Sequence, residues 1–324
     1  MRRRRFFAVG AGVAVAVTGS AVGGCSGRGR ALRDVAVVPA ARADPRVREV
    51  AAALARALAR ERLARRVRLG GGPAQGAWVV TGLAVLAAGE AGDGRGAEEA
   101  EATPLARLVG ERQVVVVPRG SRLRDFGALA DALRRDPGCL TVAGGPVGGP
   151  EHLLYGLIAQ GLGVDARRVQ YRAYASGDQV ASAMLGGRVP VAIGPVRGWR
   201  DRVAARQARA LAVSSAERLP DVEAPSLLEC GVGVDYADWC GLVGPRGMRE
   251  GERDLAIEVC DRLGDSPVWR EECRAHGWTM IHLTGDGFGE WLGTELVRIR
   301  TVLRDLGLRT RPGTTCRGTC VDRH

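Results

Sequence analysis

The sequence predicts an α/β protein of two domains, each a mostly parallel sheet flanked by helices. Three observations carry this reading. The chain has 324 residues, more than one ordinary hydrophobic core organises and about right for two. Short apolar runs alternate with segments of helical period along most of its length. Residues 114–117 are an unbroken run of valines ahead of Pro118, which suits a strand covered on both faces, as in a parallel sheet.

The elements follow in order. Residues 34–38 read as a buried strand ended by Pro39. Asp44 can cap the next helix and Pro45 suits its first turn. Val47, Val50, Ala51, Leu54 and Leu58 then give that helix one apolar face. Glycines from Gly70 to Gly72 and Pro73 break the chain, and 89–102 is small and acidic, an expected exposed loop. Residues 123–135 are helical with Pro137 and Gly138 as the stop, 141–143 form a short strand, and 144–149 form a loop. Pro150 opens a helix whose apolar face is Leu153, Leu154, Leu157 and Ile158. Residues 210–213 are another strand, and 248–263, 267–276 and 288–306 are helical. The expected division puts 33–117 with 239–308 in one domain and 118–238 in the other, with crossings near Pro118 and Trp239. The Arg-, Gly- and Cys-rich stretch 309–324 reads as a loose tail.

The first residues carry a sharp local pattern. Arg2 to Arg5 form a positive segment, and 6–17 form an apolar one too short to span a bilayer as a helix. Val22-Gly23-Gly24-Cys25 resembles the lipobox of bacterial lipoproteins, and the arginines before Phe6 and Phe7 resemble a twin-arginine export signal. The expectation is a signal peptide over 1–24, lipid at Cys25, a tether over 25–32, and a protein anchored to the outer face of the cell membrane. The alternative is an ordinary signal peptide in which Cys25 falls by chance.

Composition narrows the function classes. The formal charge is +11, and every basic residue is Arg, since the chain has no Lys. The arginines alternate with acidic residues and are not interleaved with aromatics, which argues against nucleic acid as a partner. There is no Gly-x-Ser-x-Gly elbow, no His-Glu-x-x-His and no Gly-Lys-Ser/Thr phosphate loop, and nothing around His152, His276 or His282 supplies a nucleophile. No catalytic residue, cofactor or metal site is expected. Cys316 and Cys320 lack a second ligand pair for zinc. Export makes disulfides plausible. Cys260 and Cys273 flank a Gly264-Asp265-Ser266-Pro267 turn between two helices and are the first candidate pair, worth about 3 kcal/mol if closed. Cys316 with Cys320 is the second.

A succession of motifs then identifies a family resemblance over about 32–308. Thr103-Pro104-Leu105-Ala106-Arg107-Leu108 and the valine run come first, followed by Leu129-Ala130-Asp131-Ala132-Leu133 and Asp136-Pro137-Gly138. Gly148-Gly149-Pro150-Glu151-His152-Leu153 is similar to a Gly-Ser-x-x-His-Leu ligand loop. Val169-Gln170-Tyr171, Gly186-Gly187, Arg209-Ala210-Leu211-Ala212-Val213, Arg218-Leu219-Pro220-Asp221-Val222, Leu228-Glu229-Cys230-Gly231 and Trp239-Cys240-Gly241-Leu242 complete the series. Their order resembles the receptor proteins of tripartite tricarboxylate transporters, the Bug type. The resemblance implies a two-domain periplasmic-binding-protein fold with the ligand cleft between domains, closing by hinge motion. It also implies a small organic acid held largely by backbone amides, a membrane transporter as partner, and a monomer. The chain departs from the family pattern in its first ligand loop, where Ala40-Ala41-Arg42-Ala43 stands in place of a glycine-rich segment, and 81–102 is shortened.

Within that frame the candidate site residues each have two readings. Gly148 and Gly149 before Pro150 let an anion approach the open N–H groups of a helix start, or simply make a tight strand–helix turn. His152 is a donor to a carboxylate or a buttress of the loop. Arg42, between Ala41 and Ala43, grips a carboxylate bidentately or faces solvent. Tyr171 and the loop carrying Ser176 and Gly177 wall the pocket, or Tyr171 packs in the core. Trp239 reads as packing at the domain crossing. The carboxylate is expected between the Gly148–His152 helix start and the loop of Ala41, Arg42, Ala43 and Asp44, beyond the carboxyl ends of strands. The competing functions are an orphan lipoprotein of the same fold acting as a sensor or partner-binding protein, and a hydrolase.

Overall fold

The structure, a computed structural model, describes residues 32–40, 44–70, 77–93 and 102–308. The expected signal peptide, Cys25, the loop residues Ala41, Arg42 and Ala43, and the Cys316–Cys320 pair lie outside the described residues.

The chain begins with β1 (Leu32–Pro39), α1 (Pro45–Arg60), β2 (Ala64–Leu69) and β3 (Trp78–Gly82). Helix α2 (Leu83–Ala88) runs into a π-helical turn (Gly89–Asp93), and β4 (Thr103–Glu111) follows. Then come β5 (Gln113–Pro118), α3 (Phe126–Arg135), β6 (Thr141–Gly144), α4 (Pro150–Gly161), β7 (Gln170–Ala173), α5 (Gly177–Leu185), β8 (Val191–Pro195), α6 (Val196–Ala204) and β9 (Ala208–Val213). The last elements are β10 (Asp238–Gly244), α7 (Glu250–Gly264), α8 (Pro267–His276), β11 (Thr279–Thr284) and α9 (Gly285–Asp305). The strands form two sheets, ordered β11-β4-β10-β3-β1-β2 and β7-β6-β8-β5-β9. The valine run lies in the second sheet, in β5, so the chain passes between sheets at Arg112, ahead of the run, and not near Pro118 as the sequence suggested.

Parallel pairing, as the sequence predicts, holds for β2-β1-β3 and for β7-β6-β8. The strands next to the crossings depart from it: β10 is antiparallel to both β3 and β4, β11 to β4, and β5 to both β8 and β9. Each sheet is therefore mixed. In the first sheet the chain leaves along β4 and returns along β10, so these two run opposite ways.

Local chemistry explains the helix starts. Asp44 caps α1 by accepting from the Val47 amide at 2.8 Å, and Asp125 caps α3 by accepting from the Ala128 amide at 2.8 Å. The apolar stripe of α1 is fully buried under the first sheet. The crossing itself is stitched by hydrogen bonds. The Gln113 amide donates to Ser214 Oγ at 2.9 Å, Ser214 Oγ donates to the Tyr236 carbonyl at 2.7 Å, and the Tyr236 amide donates to the Ser214 carbonyl at 2.7 Å. Trp239 packs there edge-on to Phe288 and Trp291.

Two further ties join parts distant in sequence. Arg46, on α1, is 7% exposed; one Nη donates to the Asp238 carbonyl at 2.6 Å and the other lies 2.7 Å from Asp238 Oδ1. Helix α9 starts against β4 and β11 and ends on α4, where Gln160 Nε2 donates to Asp305 Oδ2 at 2.7 Å. A Cβ on Gly156 would sit 2.7 Å from Val302, so glycine permits that helix contact.

Two further sequence expectations are corrected. Cys260 and Cys273 are not bonded to each other: both thiols are free and buried in the apolar cluster under the first sheet. Each faces that core from its own helix, and burial pushes the Cys273 thiol up to about 12 and the Cys260 thiol higher still. The expected exposed loop at 89–102 begins instead with buried Gly89 and Glu90, because Glu90 receives a two-pronged contact from Arg300 at 2.6 and 2.8 Å.

Breaking the buried Arg46–Asp238 contact from one side leaves the Asp238 carboxyl group and carbonyl buried without their partner. Arg46→Met is expected to lower unfolding free energy by about 3–5 kcal/mol in urea denaturation. A loss under 1 kcal/mol would show that the contact ties nothing together.

Candidate functional site

The loop between β6 and α4 is built by what leans on it. Gly144 packs under the Tyr171 hydroxyl, where a Cβ has no room, and a Cβ on Gly145 would lie 2.7 Å from Glu151 Oε2. Gly148 has φ +76, a left-handed turn that suits glycine. Its amide donates to His152 Nδ1 at 3.1 Å. The His152 ring stacks on Tyr171 with centroids 4.1 Å apart, and the Tyr171 hydroxyl donates to the Gly145 carbonyl at 3.0 Å. His152 and Tyr171 thus stand behind the loop and hold its shape. Burial lowers the His152 pKa to about 4, so the ring is neutral at pH 7, and the accepting Nδ1 assigns the proton to Nε2.

In front of the loop lies a cleft of about 610 Å³ between the two sheets. One wall is the small-residue face of α2 and its π-turn, with Ala84, Val85, Ala88 and Ala91. The facing wall comprises the loops after β6, β7 and β8, including Gly148, Gly149, Tyr174, Ser176 and Gly177. Trp199 closes one side, over a glycine, Gly194, whose Cβ would lie 2.6 Å from the indole nitrogen. Asp44 and Asp238 also reach the cleft, and both stand near Arg46.

Two helix starts face this space, and they differ. At α5 the Ser176 hydroxyl accepts from the Gln179 amide at 3.3 Å, which leaves the Gly177 and Asp178 amides open to the cleft. At α4 the amides are already engaged. Gly148 donates to His152, Gly149 to the Pro146 carbonyl at 2.9 Å, and Glu151 to its own carboxylate. Among the ionisable residues that line the cleft, Arg202 is paired with Asp178 at 3.0 Å, and the others are the carboxyl groups of Asp44, Glu151 and Asp238. Burial raises the Glu151 carboxyl, and neighbouring Glu111 and Asp44 push it the same way. Burial pushes Asp238 up to about 8 against the pull of Arg46.

The structure brings together five residues that the sequence singles out: Asp44, Gly148, Gly149, Ser176 and Gly177. It sets His152 and Tyr171 one layer back. Sequence reasoning missed Glu151, Asp238, Trp199 and the α2 wall. Glu151 was within the quoted loop motif, and its charge was the available signal. Leu83–Ala88 carried no signal beyond a short apolar run, because its wall is made of alanines.

The neutral His152 has a pH consequence. Its folded pKa, about 4, lies below the ordinary 6.5. The loop's contribution is therefore complete above pH 6.5 and lost as pH falls from there toward 4, by at most about 3 kcal/mol. Unfolding followed over that range is expected to steepen by one proton. His152→Asn keeps an acceptor for the Gly148 amide but cannot titrate, and it should flatten the slope. An unchanged slope would remove His152 from the account.

Residues 97–252 match the family described as "Tripartite tricarboxylate transporter family receptor". A UPF0065 protein from the tcbD-tcbE intergenic region of a Pseudomonas species is 35% identical over 137 residues, 41% of this chain. That match spans 40% of the relative's own length. In fold, a TctC solute binding protein from Polaromonas superposes with TM-score 0.69 at 15% identity, covering 85% of this chain and 99% of that one. An R. palustris protein solved with adipate gives TM-score 0.64 at 18% identity, covering 86% and 98%. Residues 97–252 are thus similar in sequence to the receptors of tripartite tricarboxylate transporters, and the chain shares the fold of a TctC solute binding protein over 85% of its length.

Proposed function

We propose that the chain is an extracytoplasmic solute-binding receptor that captures a small organic acid in the cleft and delivers it to a membrane transporter. The carrying observation is the cleft, with open helix-start amides, in a chain whose residues 97–252 match a receptor family. Adipate in the R. palustris neighbour supports a carboxylate ligand. Among the described residues no helix is long and apolar enough to cross a membrane, and lipid at Cys25 would hold the receptor beside its transporter. The two sheets with their helices are the halves that close on the ligand. The crossings at Arg112 and ahead of Asp238 form the hinge. The ligand carboxylate faces the open amides of Gly177 and Asp178, with Gly148 and Gly149 beside it and Asp44 across the cleft.

Gly177 is the cleanest place to test this. A Cβ there meets nothing within 4 Å, whereas at Gly149 it would lie 2.9 Å from the Pro146 carbonyl. Gly177→Asp puts a negative charge at the start of α5, which favours the helix by about 0.3–1 kcal/mol and repels an anion. Calorimetric titration with succinate, adipate, aspartate and glutamate is expected to show binding of at least one by the native chain and by Gly177→Ala. Gly177→Asp should lose it at least tenfold without a fall in melting temperature. Equal affinity in Gly177→Asp would move the carboxylate elsewhere. No binding by the native chain would defeat the receptor reading.

A further inference from the structure

The open edge of the first sheet carries positive charge that the cleft does not use. Strand β2 pairs only with β1 and ends its sheet. Residues 60–68, from the last residue of α1 into β2, hold five arginines and one glutamate, so the stretch is strongly basic. Arg62, Arg65, Arg66 and Arg68 are exposed, and among the described residues none of the four has an ion pair. Glu61 is engaged at the start of α8, where its carboxylate accepts from the Ser266 hydroxyl at 2.6 Å. Asp34 is the register partner of Arg66 and the one acidic residue of β1, too little to balance the edge.

Side chains alternate along a strand, so Arg66 and Arg68 stand on one face of β2 and Arg65 on the other. They flank an edge about 20 Å long, and a flat anionic surface lying along it meets them all. Leu69, 53% exposed, ends the strand beside them and offers an apolar group to the headgroup boundary. Charge on an edge strand also guards it against pairing with another sheet. What singles this edge out is the path of the chain. The Leu32 amide donates to the Leu63 carbonyl at 3.0 Å, and Leu32 is in register with Ala64. Cys25 lies seven residues ahead of Leu32, a reach of at most about 25 Å. Lipid at Cys25 therefore keeps this corner of the first sheet close to the bilayer, and Arg28 and Arg30 fall in the stretch between.

We infer that the β2 edge docks on anionic phospholipid, with Arg62, Arg65, Arg66 and Arg68 against the headgroup phosphates. Lipid at Cys25 supplies the attachment, and the edge fixes which side of the receptor lies on the bilayer. The anchor rests on the extracytoplasmic reading, whereas the binding of the edge to lipid is separable from it.

The compact body begins at Ala31, so a chain starting at Ser26 keeps all of it, without leader or lipid. Its partition is measured onto phosphatidylcholine vesicles with and without phosphatidylglycerol, at low and high salt. The expected result is at least tenfold tighter binding when phosphatidylglycerol is present, lost at high salt. Arg62→Gln, Arg65→Gln, Arg66→Gln and Arg68→Gln together should remove that gain, and lysine at the same four positions should keep it. A control with equal charge loss at exposed arginines elsewhere, Arg119→Gln, Arg122→Gln, Arg124→Gln and Arg135→Gln, should keep most of it. Equal partition onto both vesicles, a gain that survives the four glutamines, or its loss with lysines would overturn the inference. So would a control that loses as much as the edge variant, since net charge alone would then suffice. A DNA duplex held more tightly than the vesicles by the same four arginines would assign the edge to nucleic acid and overturn it too. Titration with succinate and adipate reports separately on the cleft. Vesicle binding without acid binding keeps this inference and defeats the receptor reading, and acid binding without vesicle binding does the reverse.

Discussion

The buried contact between Arg46 and Asp238 is the constraint on which the rest is arranged. It ties the first turn of α1 to the residue where the chain re-enters the first sheet. Burial opposes the Arg46 charge, yet Asp238, Cys240, Asp44 and Glu111 around it outweigh that and raise its pKa. An arginine so placed holds the α1 start, the return crossing and the floor of the cleft in one geometry. Its charge also reaches Glu111 and Glu151, and it pulls the pKa of these two and of Asp238 down against their burial.

The crossings give the molecule its two halves without loosening it. Gln113, Ser214 and Tyr236 exchange hydrogen bonds where the strands pass between sheets, and Arg197 on α6 donates to Glu111 at the end of β4 at 3.0 Å. Helix α9 reaches from the first sheet to α4.

Much of this was legible in the sequence, for physical reasons that differ by element. Helix α1 announced itself through Asp44, Pro45 and a regular apolar stripe, and α4 through Pro150 after two glycines. Strand β2 did not, because Ala64–Leu69 is an edge strand whose arginines face outward and hide the period. The free state of Cys260 and Cys273 was not legible either, since a turn between helices fixes their separation in sequence but not which face each presents. At the site, glycines marked the loop, but the roles divided on packing. His152 and Tyr171 stack on each other behind it, and Glu151 turns its carboxyl group back to its own amide at the helix start.

The central claim is that a small acid binds between the two sheets, at the loops after β6 and β7. Hydrogen exchange with and without a saturating mixture of aspartate, glutamate, succinate and adipate addresses it most directly. The account predicts slowed exchange of amides in 145–151 and 174–178 together, with β2 and α8 unchanged. Slowing confined to another surface, or to none, would contradict it.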